Sequence, residues 1–142
     1  MRLNSIVAAL SITAVSAPAA LADTTTYDCS MSSLEGRGFI RDRIIFSIDL
    51  EKNKAAVVDD LVMATYDAPI PAALSQLGNG HYRLKWDVKN LKSGAQSFNL
   101  SYTLQYRPET NAFNIRALVR GYDNRPFGSG TCKISTEKSL FG

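Results

Sequence analysis

The sequence predicts an all-β fold: a small antiparallel β-barrel or half-open barrel of seven to eight strands in meander order, with one disulfide. Two observations carry this. Apolar and polar residues alternate with a period of two along several short runs, which is the mark of strands with one buried and one wet face. The only two cysteines, Cys29 and Cys132, stand near opposite ends of the chain, so a bridge between them joins a first strand to a last one, as barrel closure requires. A two-sheet sandwich is the alternative, because it too places inward aromatics face to face.

The alternation is longest between Gln96 and Arg120. Phe98, Leu100, Tyr102, Leu104 and Tyr106 interleave with Ser97, Asn99, Ser101, Thr103 and Gln105. Phe113, Ile115, Ala117 and Val119 repeat the beat after a Pro108-Glu109-Thr110-Asn111 turn. Upstream, His81 to Val88 sends Tyr82, Leu84, Trp86 and Val88 inward and His81, Arg83, Lys85 and Asp87 outward. Arg43 to Leu50 reads as a strand with Ile44, Phe46, Ile48 and Leu50 on one side and Arg43, Ile45, Ser47 and Asp49 on the other. Ala55 to Ala64 reads as its hairpin partner, with a bulge at Asp59-Asp60 that lets both carboxylates reach water. The alternative is that Asp60 keeps phase with Val58 and Val62 and turns inward, which would call for Arg37 or Arg41 as a partner. The sequence leaves residues 66–80 ambiguous: Pro69 and Pro71 restrict themselves and their predecessors and favour an extended form, and one or two helical turns over Ala72 to Leu77, ended by Gly78, are the alternative. No amphipathic segment is long enough for a core helix. Phe127 to Ile134 is the last strand, and the polar tail after Ser135 is expected to fray.

The first residues have another purpose. Met1-Arg2 is a positive start, Ile6 to Val15 is a short apolar run, and Ala20-Leu21-Ala22 is a cleavage site. This is the layout of a secretory signal peptide, so residues 1–22 are read as a leader and 23–142 as a single β domain. The expected location is periplasmic or secreted, after cleavage near Ala22, where disulfides persist. The apolar run is too short to span a bilayer comfortably. An outer-membrane barrel would turn its apolar face to lipid and keep aromatics near strand ends; here Phe46, Trp86, Phe98 and Tyr102 sit within strands. The chain is therefore expected not to span a membrane.

The chemistry-bearing residues are sparse. His81 is the only histidine, and no Gly-x-Ser-x-Gly elbow accompanies it. Two cysteines without Cys-x-x-Cys spacing suit a structural bridge rather than redox or zinc chemistry. We expect no catalytic residues, no metal and no cofactor. The formal net charge of +3 includes Arg2 of the leader. Arg83, Lys85, Arg116 and Arg120 nevertheless fall on outward phases of neighbouring strands, and Arg125 lies in an adjoining loop. Such a patch suits an acidic protein, an anionic glycan or lipid headgroups. Nucleic acid is not expected, because the outward face lacks stacking aromatics. Tyr122-Asp123-Asn124-Arg125-Pro126-Phe127 is the most distinctive loop, and Tyr122, Arg125 and Phe127 join the candidate binding residues.

Gly128-Ser129-Gly130 resembles the glycine-and-serine strand that periplasmic lysozyme inhibitors of the C type insert into their enzyme. The resemblance implies a small barrel that inhibits a cell-wall hydrolase. The charge balance argues the other way, since lysozyme is typically basic and an inhibitor should offer acids. A lipocalin-like carrier is suggested by barrel shape, but its early Gly-x-Trp signature is missing. The functional expectation is a non-catalytic exported binding or accessory protein. The alternatives are a carrier of a small apolar ligand inside the barrel and an inhibitor of a cell-wall hydrolase. The sequence does not reveal an oligomeric state.

Overall fold

A computed structural model describes residues 14, 24–36 and 38–142. The expected cleavage site, and all of the expected leader except Ala14, lie outside the described residues, as does Arg37. Eight antiparallel strands close into one barrel in meander order. They are β1 (Thr24–Glu35), β2 (Arg43–Asp49), β3 (Lys54–Val58), β4 (Ile70–Gln76), β5 (Tyr82–Ser93), β6 (Gln96–Arg107), β7 (Ala112–Val119) and β8 (Phe127–Ile134). The barrel, not the sandwich, is the architecture.

Closure runs through β1 and β8. Cys29 stands directly opposite Cys132, and the two are bonded with their Cα atoms 3.9 Å apart. The glycines of β8 serve this seam. A side chain at Gly130 would overlap the Ser30 carbonyl, and one at Gly128 would press on the Met31 sulfur at 2.9 Å. Both glycines are buried, so the Gly-Ser-Gly piece is explained by close strand packing.

The inward phases of β5, β6 and β7 form the core as expected. Leu84, Trp86, Val88, Leu100, Tyr102, Leu104 and Tyr106 are buried, with Phe113, Ile115, Ala117 and Val119 facing them. At one end Tyr27 packs between Phe46 and Tyr106, at ring distances of 4.9 and 4.7 Å. Deeper along β5, Trp86 stacks on Tyr102 at 5.3 Å. The Tyr102 hydroxyl donates to the Phe39 carbonyl, while the Trp86 Nε1 is buried with no hydrogen-bond partner among the described residues.

Local expectations are corrected over residues 55–66 and at Leu50. The strand read over 55–64 stops at Val58, and a short helix follows, α1 (Asp60–Tyr66). Asp59 is not a bulge residue but the helix N-cap: its Oδ1 accepts from the Val62 amide at 2.8 Å. Leu61 and Val62 bury themselves against the barrel, which gives so short a helix the tertiary support it needs. Asp67, in the left-handed region at φ 56, ends it. Asp60 is exposed rather than turned inward. Leu50, expected inward, lies past the end of β2 and is 39% exposed.

The tail does not fray either. The Ser135 amide donates to the Thr26 carbonyl at 2.8 Å, and the Leu140 amide to the Ser47 hydroxyl at 3.0 Å. Phe141 lies under the Lys54 ammonium, 5.1 Å from ring centre to Nζ. The tail thus covers the outer side of β2 and β3, where Ser47 is fully buried and Ala56 nearly so. Thr26 and Ser47 share a 2.7 Å hydrogen bond there.

Candidate anion-binding face

Strand pairing decides which outward side chains become neighbours. Three rows cross β5, β6 and β7: Arg83, Gln105 and Asn114; Lys85, Thr103 and Arg116; Asp87, Ser101 and Leu118. The middle strand contributes shorter side chains than the cations beside it. The result is a trough with hydroxyl and amide groups on its floor and long cations along its walls. Two adjoining clefts, of about 390 and 380 Å³, share Lys85, Thr103 and Arg116. A third, of about 460 Å³, lies between Arg116, Arg125 and Phe127. Arg116 is common to all three.

The candidate residues come together here. Lys85, Arg116, Arg120 and Arg125 are exposed, and Arg83 is half-buried. Among the described residues, the salt bridges are Arg43 with Asp28 at 2.8 Å and His81 with Glu109 at 2.7 Å, so neither uses a cation of this face. Arg120 is the most committed: its Nη2 donates to Ser101 Oγ at 3.1 Å, and Ser101 donates to Asp87 at 2.8 Å. That end of the trough is tempered by an acid. Among the described residues, the cleft that runs from Lys85 and Arg116 to Arg83 has no acid in its lining.

The 121–126 loop closes one side. Arg125 Nη1 reaches the Tyr122 and Asn124 carbonyls at 3.4 Å, which holds the loop to itself. Arg116 lies over the Phe127 ring at 5.6 Å, so this aromatic positions a cation. Tyr122 leans on Phe98 at 5.5 Å and remains half exposed, outside the three clefts. Sequence reasoning missed Arg107, which lines the same cleft as Arg83. Its phase along β6 continues from Ser101, Thr103 and Gln105, and that was the available signal. It also missed the polar floor between the cations.

The other titratable groups serve the fold. His81 is not a free surface side chain: it bonds Glu109, and Gln105 Nε2 lies 3.4 Å from its Nδ1. The group on the other side of the imidazole from Glu109 is thus an amide and not a hydroxyl. A backbone hydrogen bond and then His81 hold the Glu109 carboxyl below its ordinary range. Burial holds Asp59 above its ordinary range despite its amide donors. Burial likewise pushes Tyr27 up to about 12, helped by Tyr106 and Tyr82. No group of three or more His, Cys, Asp or Glu side chains among the described residues could hold a metal ion.

No helix among the described residues is long and apolar enough to cross a membrane. The outward phases of β5 and β7 carry Arg83, Lys85, Asp87 and Arg116, the reverse of a lipid-facing band. The chain matches no protein-family model, no curated protein and no solved structure.

Proposed function

We propose that this is a non-catalytic exported binding protein that takes an anionic partner on the outer face of β5, β6 and β7. The observation that carries this reading is the trough itself, where Arg83, Lys85 and Arg116 converge on a polar floor without a salt-bridge partner among the described residues. Cations left without counter-charge offer both attraction and steering to an anion. The Cys29–Cys132 bond fits an oxidising compartment, which supports export.

Two observations weigh against the alternatives. The side chains that would line a carrier's cavity contact one another, as Trp86 does Tyr102, and α1 buries Leu61 and Val62 at that end. The glycines that would enter a hydrolase cleft are buried in the seam.

The test is retention of the oxidised protein on an immobilised polyanion, compared with the variant carrying Arg83→Ser, Lys85→Ser and Arg116→Ser. Retention should fall steeply with salt and be lost in the variant. Equal retention of both proteins would place any anion binding elsewhere.

A further inference from the structure

We infer that the ligand of this face is a linear anionic polysaccharide lying along β6. The inference rests on the anion-binding reading above and adds the ligand's class.

The shape argues for one extended chain. From Asn99 to Arg107 the outward side of β6 runs for roughly 27 Å at about 3.4 Å per residue. The flanking strands stand about 10 Å apart across it, at roughly 4.8 Å per strand spacing. The trough is thus long, narrow and one strand wide. A globular acidic partner would meet the wall cations from above and leave the floor unused.

The floor decides the chemistry. Thr103 and Asn114 present a hydroxyl and an amide between the cations, while Ser101 is bonded to Asp87 and Arg120 and Gln105 reaches His81. These groups donate and accept, so they match neutral hydroxyls as well as charged oxygens. A sugar acid polymer carries both kinds of group on each unit. A polyphosphate chain carries acceptors alone and would leave the floor's acceptors without donors. The walls also hold an apolar surface at Leu118, which is 38% exposed. That suits the C–H face of a sugar ring. The wall arginines Arg83 and Arg116 offer planar forks for carboxylate or sulfate, in rows roughly 7 Å apart along the strand. A single-stranded nucleic acid would want aromatic platforms, and the trough's rows contain none.

The experiment is a titration of the oxidised full chain with polygalacturonate, dextran sulfate, uncharged dextran, inorganic polyphosphate, and vesicles rich in phosphatidylglycerol. Three proteins are compared: the wild type, the wall variant with Arg83→Ser, Lys85→Ser and Arg116→Ser, and a floor variant with Thr103→Val and Asn114→Val. Unfolding midpoints confirm that each is folded. Polygalacturonate or dextran sulfate should bind the wild type, uncharged dextran should not, and the wall variant should lose binding. The floor variant should bind the acidic polysaccharide roughly fivefold to tenfold more weakly, as expected for two lost hydrogen bonds. Its affinity for polyphosphate should fall by less, since phosphate oxygens engage only the floor's donors.

Polyphosphate or vesicles binding more tightly than either polysaccharide would overturn the glycan assignment and leave the anion-binding face standing. A silent floor variant would do the same. Binding of no polyanion, or binding untouched in the wall variant, would overturn both.

Discussion

The barrel has two outer faces built on the same backbone rule and put to opposite uses. On β2 and β3 the outward positions include Ser47 and Ala56, and the chain's own end lies over them through Leu140 and Phe141. On β5 and β7 the outward positions are Arg83, Lys85 and Arg116, and a polar trough opens between them. Small side chains let another segment approach the sheet closely. Long charged ones hold a segment off and keep their own hydration. Outward residues on a strand are therefore not uniformly surface: their size states whether something covers them.

The strongest way to break the comparison is to open the seam that separates the two faces. β8 lies between β7 and β1, and Cys29–Cys132 bridges a sequence separation of 103 residues. The double variant Cys29→Ala, Cys132→Ala should lose about 3 kcal/mol of stability, below the chain-entropy ceiling of about 4.7 kcal/mol for a loop of this order. Urea unfolding of oxidised and variant protein measures it, and a loss under 1 kcal/mol would mean that strand pairing alone holds the closure.

Next in size is the covered face. Replacing Leu140 and Phe141 by alanine should cost about 1–2 kcal/mol, since both side chains are only partly buried. Ala56→Glu should cost about as much by lifting the tail. The two changes should not add when combined, because they break one shared contact. Hydrogen exchange at the Leu140 amide should speed up in either protein. Additive losses would show that the tail and Ala56 are independent.

The open face should give the contrasting result. Arg83→Ser, Lys85→Ser and Arg116→Ser together should change stability by no more than about 1 kcal/mol, since none of the three forms a salt bridge among the described residues. A large loss would mean that these cations hold the barrel together rather than wait for a ligand.

The smallest effect is one of pH. Burial raises the folded-state pKa of Asp59, so the folded protein holds that proton more tightly than the unfolded chain does. The linked stability is present in full below the unfolded value, near about 3.9, and is lost as pH rises through the folded value. Asp59→Asn keeps a capping oxygen and cannot ionise. The variant should gain on the wild type as pH rises above about 4. If the wild type gains instead, the α1 amides stabilise the carboxylate more than burial penalises it.

Much of the fold was legible because strand alternation is a local property. Phe98 through Tyr106 and Tyr82 through Val88 announce their buried faces without reference to any other strand. α1 was not legible: Asp59 to Tyr66 holds β-branched and apolar residues that suit a strand, and only the room at the barrel's end lets Leu61 and Val62 bury as a helix. The tail was hidden for a similar reason. Leu140 and Phe141 are two apolar residues in a polar run, and their site lies about ninety residues upstream, at Ser47. The cations of the candidate site were readable from phase, and Arg107 could have been. The floor was not, because Thr103 and Gln105 look like ordinary wet positions until Lys85 and Arg116 stand beside them.

By itself the sequence determined which side chains of β5, β6 and β7 face inward, and it placed its two cysteines where a barrel would need a bridge. Backbone geometry turns successive residues to opposite faces, so that information needs no partner. Only the tertiary structure decided which outward faces are covered and which are open, where the short helix α1 forms, and which strands make a trough. Those outcomes depend on residues far apart in the chain meeting across a closed sheet.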